Sequence, residues 1–279
     1  MIIMTNQTWM VTGTSSGFGK ELALQLAQKT GIQLIATARK ESDLDYLDQY
    51  DHGQIKKILV DVAKSKEIQR AVQEALAFTE QVDVLVNNAG LGYFSTIEES
   101  NMATVRYMFE VNVFGLAEMT KALLPQFRQH RSGTIVNISS ALALTTLPTM
   151  GFYSATKYAV EGYSDTLRKE LAPLGIHVLT VEPSGARTNW AGSSSQKELP
   201  QITDYANFQQ MVETMDEGVT KSPGNPKLIA KAIIEAVENP DTPDHLPLGN
   251  FAYKGSLENL RGLTREIEHY KDISLSTDD

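Results

Sequence analysis

Trp9-Met10-Val11-Thr12-Gly13-Thr14-Ser15-Ser16-Gly17-Phe18-Gly19 is the stretch on which the reading of this chain turns. Three apolar residues of strand type run straight into a turn with three glycines. The turn opens a stretch of helical period, Gly19 to Thr30, in which Leu22/Leu26 and Ala23/Ala27 recur at i, i+4, with Gly31 where a C-cap is expected. Strand, glycine turn and helix in that order gather backbone N–H groups and the positive end of a helix dipole at one spot, which suits a pyrophosphate. Gly13 permits the tight turn, Gly17 a close backbone approach, and Gly19 the packing of helix on strand. Ser15, Ser16 and Phe18 join them as candidate cofactor contacts. Glycines also end strands for steric reasons, so it is the strand–turn–helix setting that gives the pattern weight.

Outward from this turn, short β-rich runs alternate with longer helical stretches. The runs are Trp9 to Val11, Ile32 to Ala36, Ile58 to Val60, Val82 to Val86, Thr134 to Ile138 and His177 to Val181. Further helices are expected after Ser65, from about Ser100 towards Pro125, and from about Tyr153 to Leu171, before Pro173 and Gly175. This alternation predicts an α/β fold: a doubly wound parallel sheet between two helical layers. Residues 188–221 break the rhythm. Gly192 and Ser193 to Ser195 read as loop, while Phe208, Met211, Val212 and Met215 recur at helical spacing, as an inserted lid would. Pro226 then opens a helix through about Val237, Leu246 to Gly249 reads as a last short strand, and Gly255 to Ile273 as a charged amphipathic helix in a tail of residues 255–279. No repeat or linker interrupts the chain, so one domain over residues 1–279 is expected.

Composition narrows the chemistry. The 279 residues are 42% hydrophobic and 21% charged, enough apolar material for a large core without crosslinks. With no cysteine, thiolate nucleophiles, iron–sulfur clusters and redox pairs are excluded together. The histidines, His52, His130, His177, His245 and His269, are scattered and none belongs to a metal-type pair, so no metal is expected. A net charge of −9 without a basic stripe argues against nucleic acid. The start MIIMTNQTWMVTG lacks the layout of a secretory signal, and no run reaches the 18 apolar residues of a membrane span. A cytoplasmic protein without a membrane partner is the expectation.

The second strand run ends in Ala36-Thr37-Ala38-Arg39-Lys40, with no acid before Glu41. A carboxylate there would accept the ribose 2′-hydroxyl of NAD; a planar, permanently charged Arg39 suits the 2′-phosphate of NADP instead, so NADP(H) is favoured over NAD(H). The competing reading of Arg39 is a solvated surface charge, and Ser16 adds no second cation from the glycine turn.

Of ten tyrosines only Tyr153 is followed four residues on by a lysine, Lys157, which places both on one helical face. A nearby ammonium stabilises phenolate and lowers the tyrosine from about 10 towards the working range of an acid–base group. Ser139 and Ser140 close the fifth strand run, Asn87-Asn88-Ala89-Gly90 closes the fourth, and Asn112 lies in the next helix. Each has a plain structural reading as a cap, a turn or a partner for a buried carbonyl. Their convergence on the C-terminal edge of the sheet, where open α/β sheets bind ligands, is what points to a site.

At this point the chain resembles the short-chain dehydrogenase/reductase family, over residues of about 8 to 250. Thr-Gly-x-x-x-Gly-x-Gly at Thr12 to Gly19, Asn-Asn-Ala-Gly at Asn87 to Gly90, Asn112, Ser140 thirteen residues before Tyr153, and Lys157 stand in the family's order and spacing. The resemblance implies a Rossmann fold with Tyr153 as proton donor and acceptor and Ser140 hydrogen-bonded to the substrate oxygen. It implies that Lys157 holds the nicotinamide ribose and lowers the Tyr153 pKa, and that Asn112 anchors a proton-relay water. Asp61 and Val62 look like adenine contacts, and Asn88, Ala89 and Gly90 like the cofactor's lining. Pro183-Ser184-Gly185-Ala186-Arg187-Thr188 is similar to the family's stretch over the nicotinamide, with Pro183, Gly185 and Thr188 as contacts and Ser184 where a glycine is usual. The implied activity is an NADP-dependent interconversion of a ketone or aldehyde with an alcohol, in a homodimer or homotetramer paired through the helices of Asn112 and Tyr153. Leu91, Tyr93, Phe94, Leu142, Leu144, Phe152 and Trp190, with Phe208, Met211 and Met215 of the lid, favour an apolar substrate, although core or interface roles compete for several. The rival function is a dinucleotide-binding regulator or redox sensor without turnover; a broken Tyr/Lys/Ser set would favour it, and here the set is complete.

Overall fold

The computed structural model describes residues 7–188, 190 and 194–278. The apolar runs become strands β1 (Gln7–Val11), β2 (Ile32–Ala38), β3 (Ile55–Leu59) and β4 (Val84–Asn87). A short β5 (Gly92–Phe94) follows, then β6 (Gly133–Ile138), β7 (Ile176–Pro183), another short strand β8 (Ser195–Lys197), and β9 (His245–Leu248). Seven of them form one parallel sheet in the order β3-β2-β1-β4-β6-β7-β9, while β5 pairs with β8 outside it. Val11 lies between Ala36 of β2 and Val86 of β4. The chain winds one way from β1 to β3 and the other way from β4 to β9, so the order reverses between β1 and β4. A crevice opens beyond the carboxyl ends of strands at such a reversal.

Side chains alternate across a strand, so successive residues feed opposite layers. Trp9 and Val11 face helices α1 (Gly17–Ala27) and, far along the chain, α8 (Pro226–Glu238), in a core with Leu22, Leu26, Leu34, Ile233 and Ile234. Met10 faces the other layer, made by α2 (Ser65–Phe78), α4 (Leu116–His130) and α5 (Gly151–Leu171), with Ile68, Leu123, Phe127 and Leu167. A third cluster, including Phe94, Met108, Met150 and Val212, sits over the carboxyl edge; it draws on α3 (Met102–Phe109) and α6 (Gln209–Glu213). The helices α7 (Met215–Thr220), α9 (Asn250–His269) and α10 (Lys271–Leu275) complete the set. Among the described residues no helix is long and apolar enough to cross a membrane.

Several expectations from the sequence are corrected. The helix expected from Ser100 towards Pro125 is α3, a π-helical stretch Glu110–Gly115 and α4, and it runs through Pro125 to His130. Burial of Phe127, and Gln126 bonding both backbone groups of Val82 (3.0 and 3.3 Å), hold the turn beyond the proline, which forfeits one N–H bond. Arg131 in the left-handed conformation (φ 50°) ends it. Residues Glu41–Tyr50, read as no element, form a 3-10 helix, and the tail helix starts at Asn250, before Gly255. Ser195, read as loop, opens β8; Gly192 and Ser193 lie outside the described residues.

Candidate active site

The glycine turn is pinned from β4. The Thr12 hydroxyl donates to Val86 O (3.3 Å) and accepts the N–H groups of Asn88 and Ala89 (both 3.0 Å), while Asn88 Nδ2 donates to the carbonyls of Thr12 (2.8 Å) and Gly13 (2.9 Å). Gly13 and Gly17 sit at φ +69° and +57°. A Cβ on Gly13 would lie 2.9 Å from Ala89 Cα, and one on Gly19 would lie 2.3 Å from both Asn88 Nδ2 and Gly13 O. The demand on Gly19 therefore comes from the folded-back turn, not from helix packing on a strand as read from sequence. Ser16 caps α1 without a side-chain hydrogen bond, so the first-turn N–H groups keep no acceptor from their own cap.

Much of the turn and of the loop after β4 lines one cavity of about 710 Å³ that runs along the carboxyl edge. Of the contacts read from sequence, all but Gly19 and Asn112 line it: Gly13, Ser15, Ser16, Gly17, Phe18, Arg39, Asp61, Val62, Asn88, Ala89, Gly90, Ser140, Tyr153, Lys157, Pro183, Gly185 and Thr188. Arg39 is exposed at the end of β2, with no hydrogen bond or ion pair among the described residues. Asp61 is held by its own neighbourhood: Oδ1 accepts from Ala63 N (3.1 Å) and its N–H donates to Glu67 (2.9 Å).

Tyr153 stands in the first turn of α5, buried, with the Ser140 hydroxyl against its phenol. Ser140 in turn accepts Leu142 N–H (3.1 Å). The Lys157 ammonium, one turn on and also buried, donates to Ile138 O (2.8 Å) and lies 5.8 Å from the centroid of the tyrosine ring. Burial pushes the phenol up to about 12, with Ser140 opposing, and pulls Lys157 down to about 8, with the charge of Glu161 opposing. The sequence reading set Tyr153 below its ordinary value of 10; in the folded chain burial pushes it upward, and the Lys157 ammonium is turned to a strand carbonyl.

Asn112, in the π-helical stretch, accepts Leu91 N–H (2.8 Å) and donates to Leu91 O (2.9 Å) and the Thr156 hydroxyl (3.1 Å). Its amide braces the loop after β4, which corresponds to the plain reading of a partner for a buried carbonyl.

A family model described as short chain dehydrogenase matches residues 7–199. The chain is a short-chain dehydrogenase/reductase. As such it is an NAD(P)-dependent oxidoreductase. It is similar to a 3-ketodihydrosphingosine reductase of Bacteroides thetaiotaomicron, 34% identical over 88% of this chain and 89% of that one. Among solved structures, a short-chain dehydrogenase from Streptomyces avermitilis superposes with TM-score 0.91 at 36% identity, covering 99% of this chain and 100% of that one. An alcohol dehydrogenase from the archaeon Thermococcus sibiricus, complexed with 5-hydroxy-NADP, gives 0.71 at 25% identity over 86% and 94%.

In this short-chain dehydrogenase/reductase the segment after β7 departs from the family at Ser184. Its N–H donates to Leu248 O and its hydroxyl accepts Ala252 N–H (both 2.8 Å), tying β7 to β9 and the first turn of α9. A Cβ on Gly249 (φ +101°) would come within 2.7 Å of that hydroxyl, so the serine and Gly249 fit as a pair. Of the apolar residues expected around a substrate, Leu91, Leu142, Trp190 and Met215 line the cavity. Trp190 lies against Tyr153 (ring centroids 4.9 Å apart) and edge-on to Phe94 (5.6 Å). Tyr93 and Phe94 are buried in the third cluster with Phe152 packed on it, Leu144 and Phe208 are half-buried away from the cavity, and Met211 is exposed. Sequence reasoning missed Tyr107, Leu147 and Phe251, which add to the apolar wall. It also missed Glu161, Glu182 and His245, whose polar atoms gather within 4.8 Å of one another behind Lys157. These come from α5, β7 and β9, and no local spacing links them.

Proposed function

We propose that this protein prefers NADP(H) and interconverts a ketone or aldehyde with an alcohol, with Tyr153 as proton donor and acceptor. The observation that carries the reading is a buried Tyr153, with Ser140 at its hydroxyl and Lys157 one turn away, opening into the cavity that the glycine turn lines. That turn fits a dinucleotide: the first-turn N–H groups of α1 have no acceptor from the Ser16 side chain, and Gly13, Ser15, Ser16, Gly17 and Phe18 line the cavity beside them. Gly13, Ser15, Ser16, Gly17 and Phe18 would hold the pyrophosphate, Arg39 a 2′-phosphate, and Asp61 and Val62 the adenine. Asn88, Ala89, Gly90, Pro183, Gly185, Thr188 and Lys157 would hold the nicotinamide end. When bound, the dinucleotide supplies or takes the hydride.

The chain's own part is proton handling. A phenol at about 12 keeps its proton until a carbonyl oxygen beside it gains negative charge, and then gives it up to the forming alkoxide. Ser140 would donate a hydrogen bond to the same oxygen, and the Lys157 ammonium would steady the phenolate left behind. Tyr153→Phe should lower turnover by roughly 10²–10⁴-fold with NADPH affinity nearly intact. Wild-type turnover in that variant would sink the assignment. NADPH binding without turnover of any carbonyl by the wild type would favour the regulator or sensor.

Exposed Arg39, without a partner among the described residues, supports the NADP preference. Ala38→Asp with Arg39→Ala should shift preference to NADH, and a wild type that already prefers NADH refutes the Arg39 argument. The wall of Leu91, Tyr107, Leu142, Leu147, Trp190, Met215 and Phe251 supports an apolar substrate. NADPH absorbance should be followed with aliphatic, aromatic and steroid-like ketones, and with 3-ketodihydrosphingosine because of the relative's name. We take residues 188–221 as the lid of a single domain in a cytoplasmic enzyme. Exposed Phe114 and Tyr158, on the π-helical stretch and α5, support pairing of copies through those helices, to be checked by light scattering.

A further inference from the structure

Glu161 follows Lys157 by one turn of α5 and is 8% exposed, yet among the described residues neither carboxylate oxygen accepts a hydrogen bond. A buried carboxylate in that condition either takes up a proton or answers a cation. The charged and titratable groups facing it come from every neighbouring element. On α5 they are Lys157 and Asp165, on β7 Glu182, and on β9 His245, with Arg168 acting on that histidine; the Ser139 hydroxyl at the end of β6 lies near the carboxylate without closing a hydrogen bond. His245 Nδ1 lies 3.6 Å from Glu161 and 2.9 Å from the fully buried Glu182, and Nε2 lies 3.4 Å from Asp165. Arg168 is committed to Asp165 (2.6 Å) and Asp244 (3.2 Å). Two glutamates and a histidine are donors that a cation could use. However, both Glu182 oxygens already accept N–H bonds, one from His245 itself and one from Leu246 (2.9 Å), so hydrogen bonding organises the group.

That bonding leaves Glu161 facing the two cations on either side of it, Lys157 inward and His245 outward. We propose that Glu161 is a positioning residue for the reaction: its carboxylate, supported from the surface by His245, keeps Lys157 an ammonium beside Tyr153. The inference rests on the role given to Lys157 in the proposed function. Its direction follows from the charges. Burial pulls Lys157 down to about 8 and the Glu161 charge opposes that pull, so removing the charge must lower Lys157 further and cost it the ammonium at lower pH. Burial pushes Glu161 up and the His245 cation opposes, so the surface histidine favours the carboxylate form that faces Lys157.

The test reads Lys157 directly, from its side-chain ¹³C and ¹⁵N resonances in cofactor-free protein, assigned by their loss in Lys157→Arg. In Glu161→Gln, which keeps the shape and removes the charge, the Lys157 midpoint should fall by about one pH unit or more. The alkaline limb of kcat/KM should move down with it, and Glu161→Asp should restore part of both. An unmoved midpoint in Glu161→Gln overturns the proposal, whatever happens to Tm. Should that variant fail to fold, His245→Gln at the exposed end of the cluster should lower the Lys157 midpoint by a smaller amount, and no shift there also overturns it. Retained turnover in Tyr153→Phe would defeat the catalytic reading while leaving the midpoint measurement intact, so the two failures are separable.

Discussion

Gly13 answers two demands at once, a left-handed φ of +69° and a backbone neighbour 2.9 Å from where its Cβ would be. Gly13→Ala should therefore cost roughly 2–3 kcal/mol, from backbone strain plus displacement of Ala89, and weaken NADPH binding. Gly162, inside α5, has nothing within 4 Å of a Cβ, and Gly162→Ala should gain up to about 1 kcal/mol, near 2 °C in Tm. Thermal melts of both variants test the contrast. The turn glycines, Gly13, Gly17 and Gly19, were visible in the sequence as a pattern, because a turn is a local object. What lay beyond local reading was the reason for each: Gly19 answers to Asn88, sixty-nine residues away. Asn112 shows the converse, a position found by spacing whose partners, Leu91 and Thr156, only the folded chain displays.

Among elements, α5, which holds Tyr153 and Lys157, also carries a pH signature. Glu161, pushed up to about 7 from 4.5, binds its proton more tightly in the folded chain, so stability present below about 4.5 is lost as pH rises through 7. His245, raised above 6.5 chiefly by its hydrogen bond to Glu182, acts in the same direction: its contribution is full below 6.5 and disappears as pH rises through the folded value. Tm should therefore drop by a few degrees between pH 5 and 8, and Glu161→Gln should flatten the slope; differential scanning fluorimetry across that range decides it. The strands of the main sheet were legible because buried parallel strands are dense apolar runs. The pairing of β5 with β8 was not, since three-residue strands carry no period and their register joins Gly92 to Ser195. Pro125 misled for a related reason: its local rule is real, but Gln126 and Phe127 outweigh it through contacts with Val82 and the core.

At the scale of the molecule, the two faces of the sheet are closed by different parts of the chain. The face of Met10 and Ile35 is covered by α2, α4 and α5. The face of Trp9 and Val11 needs α1 and α8 together, linked across their exposed rims by Gln25 to Lys227 O (2.9 Å) and by the Lys29–Glu238 ion pair. Cutting the chain after Lys221 should leave that face bare, giving a species that binds the dye ANS, lacks a cooperative melt and aggregates. A cooperative transition in the truncated chain would show that α8 is dispensable.

The same arrangement bears on biosynthesis. Leu22 and Leu26 leave the ribosome about two hundred residues ahead of Ile233 and Ile234, an interval of roughly 10–40 s at ordinary elongation rates. Throughout it the half-built sheet shows a greasy flank that α1 alone covers only in part. The position of one late helix thus leaves part of that flank without its native cover until Pro226–Glu238 is made, so co-expression of a chaperone should raise the soluble yield.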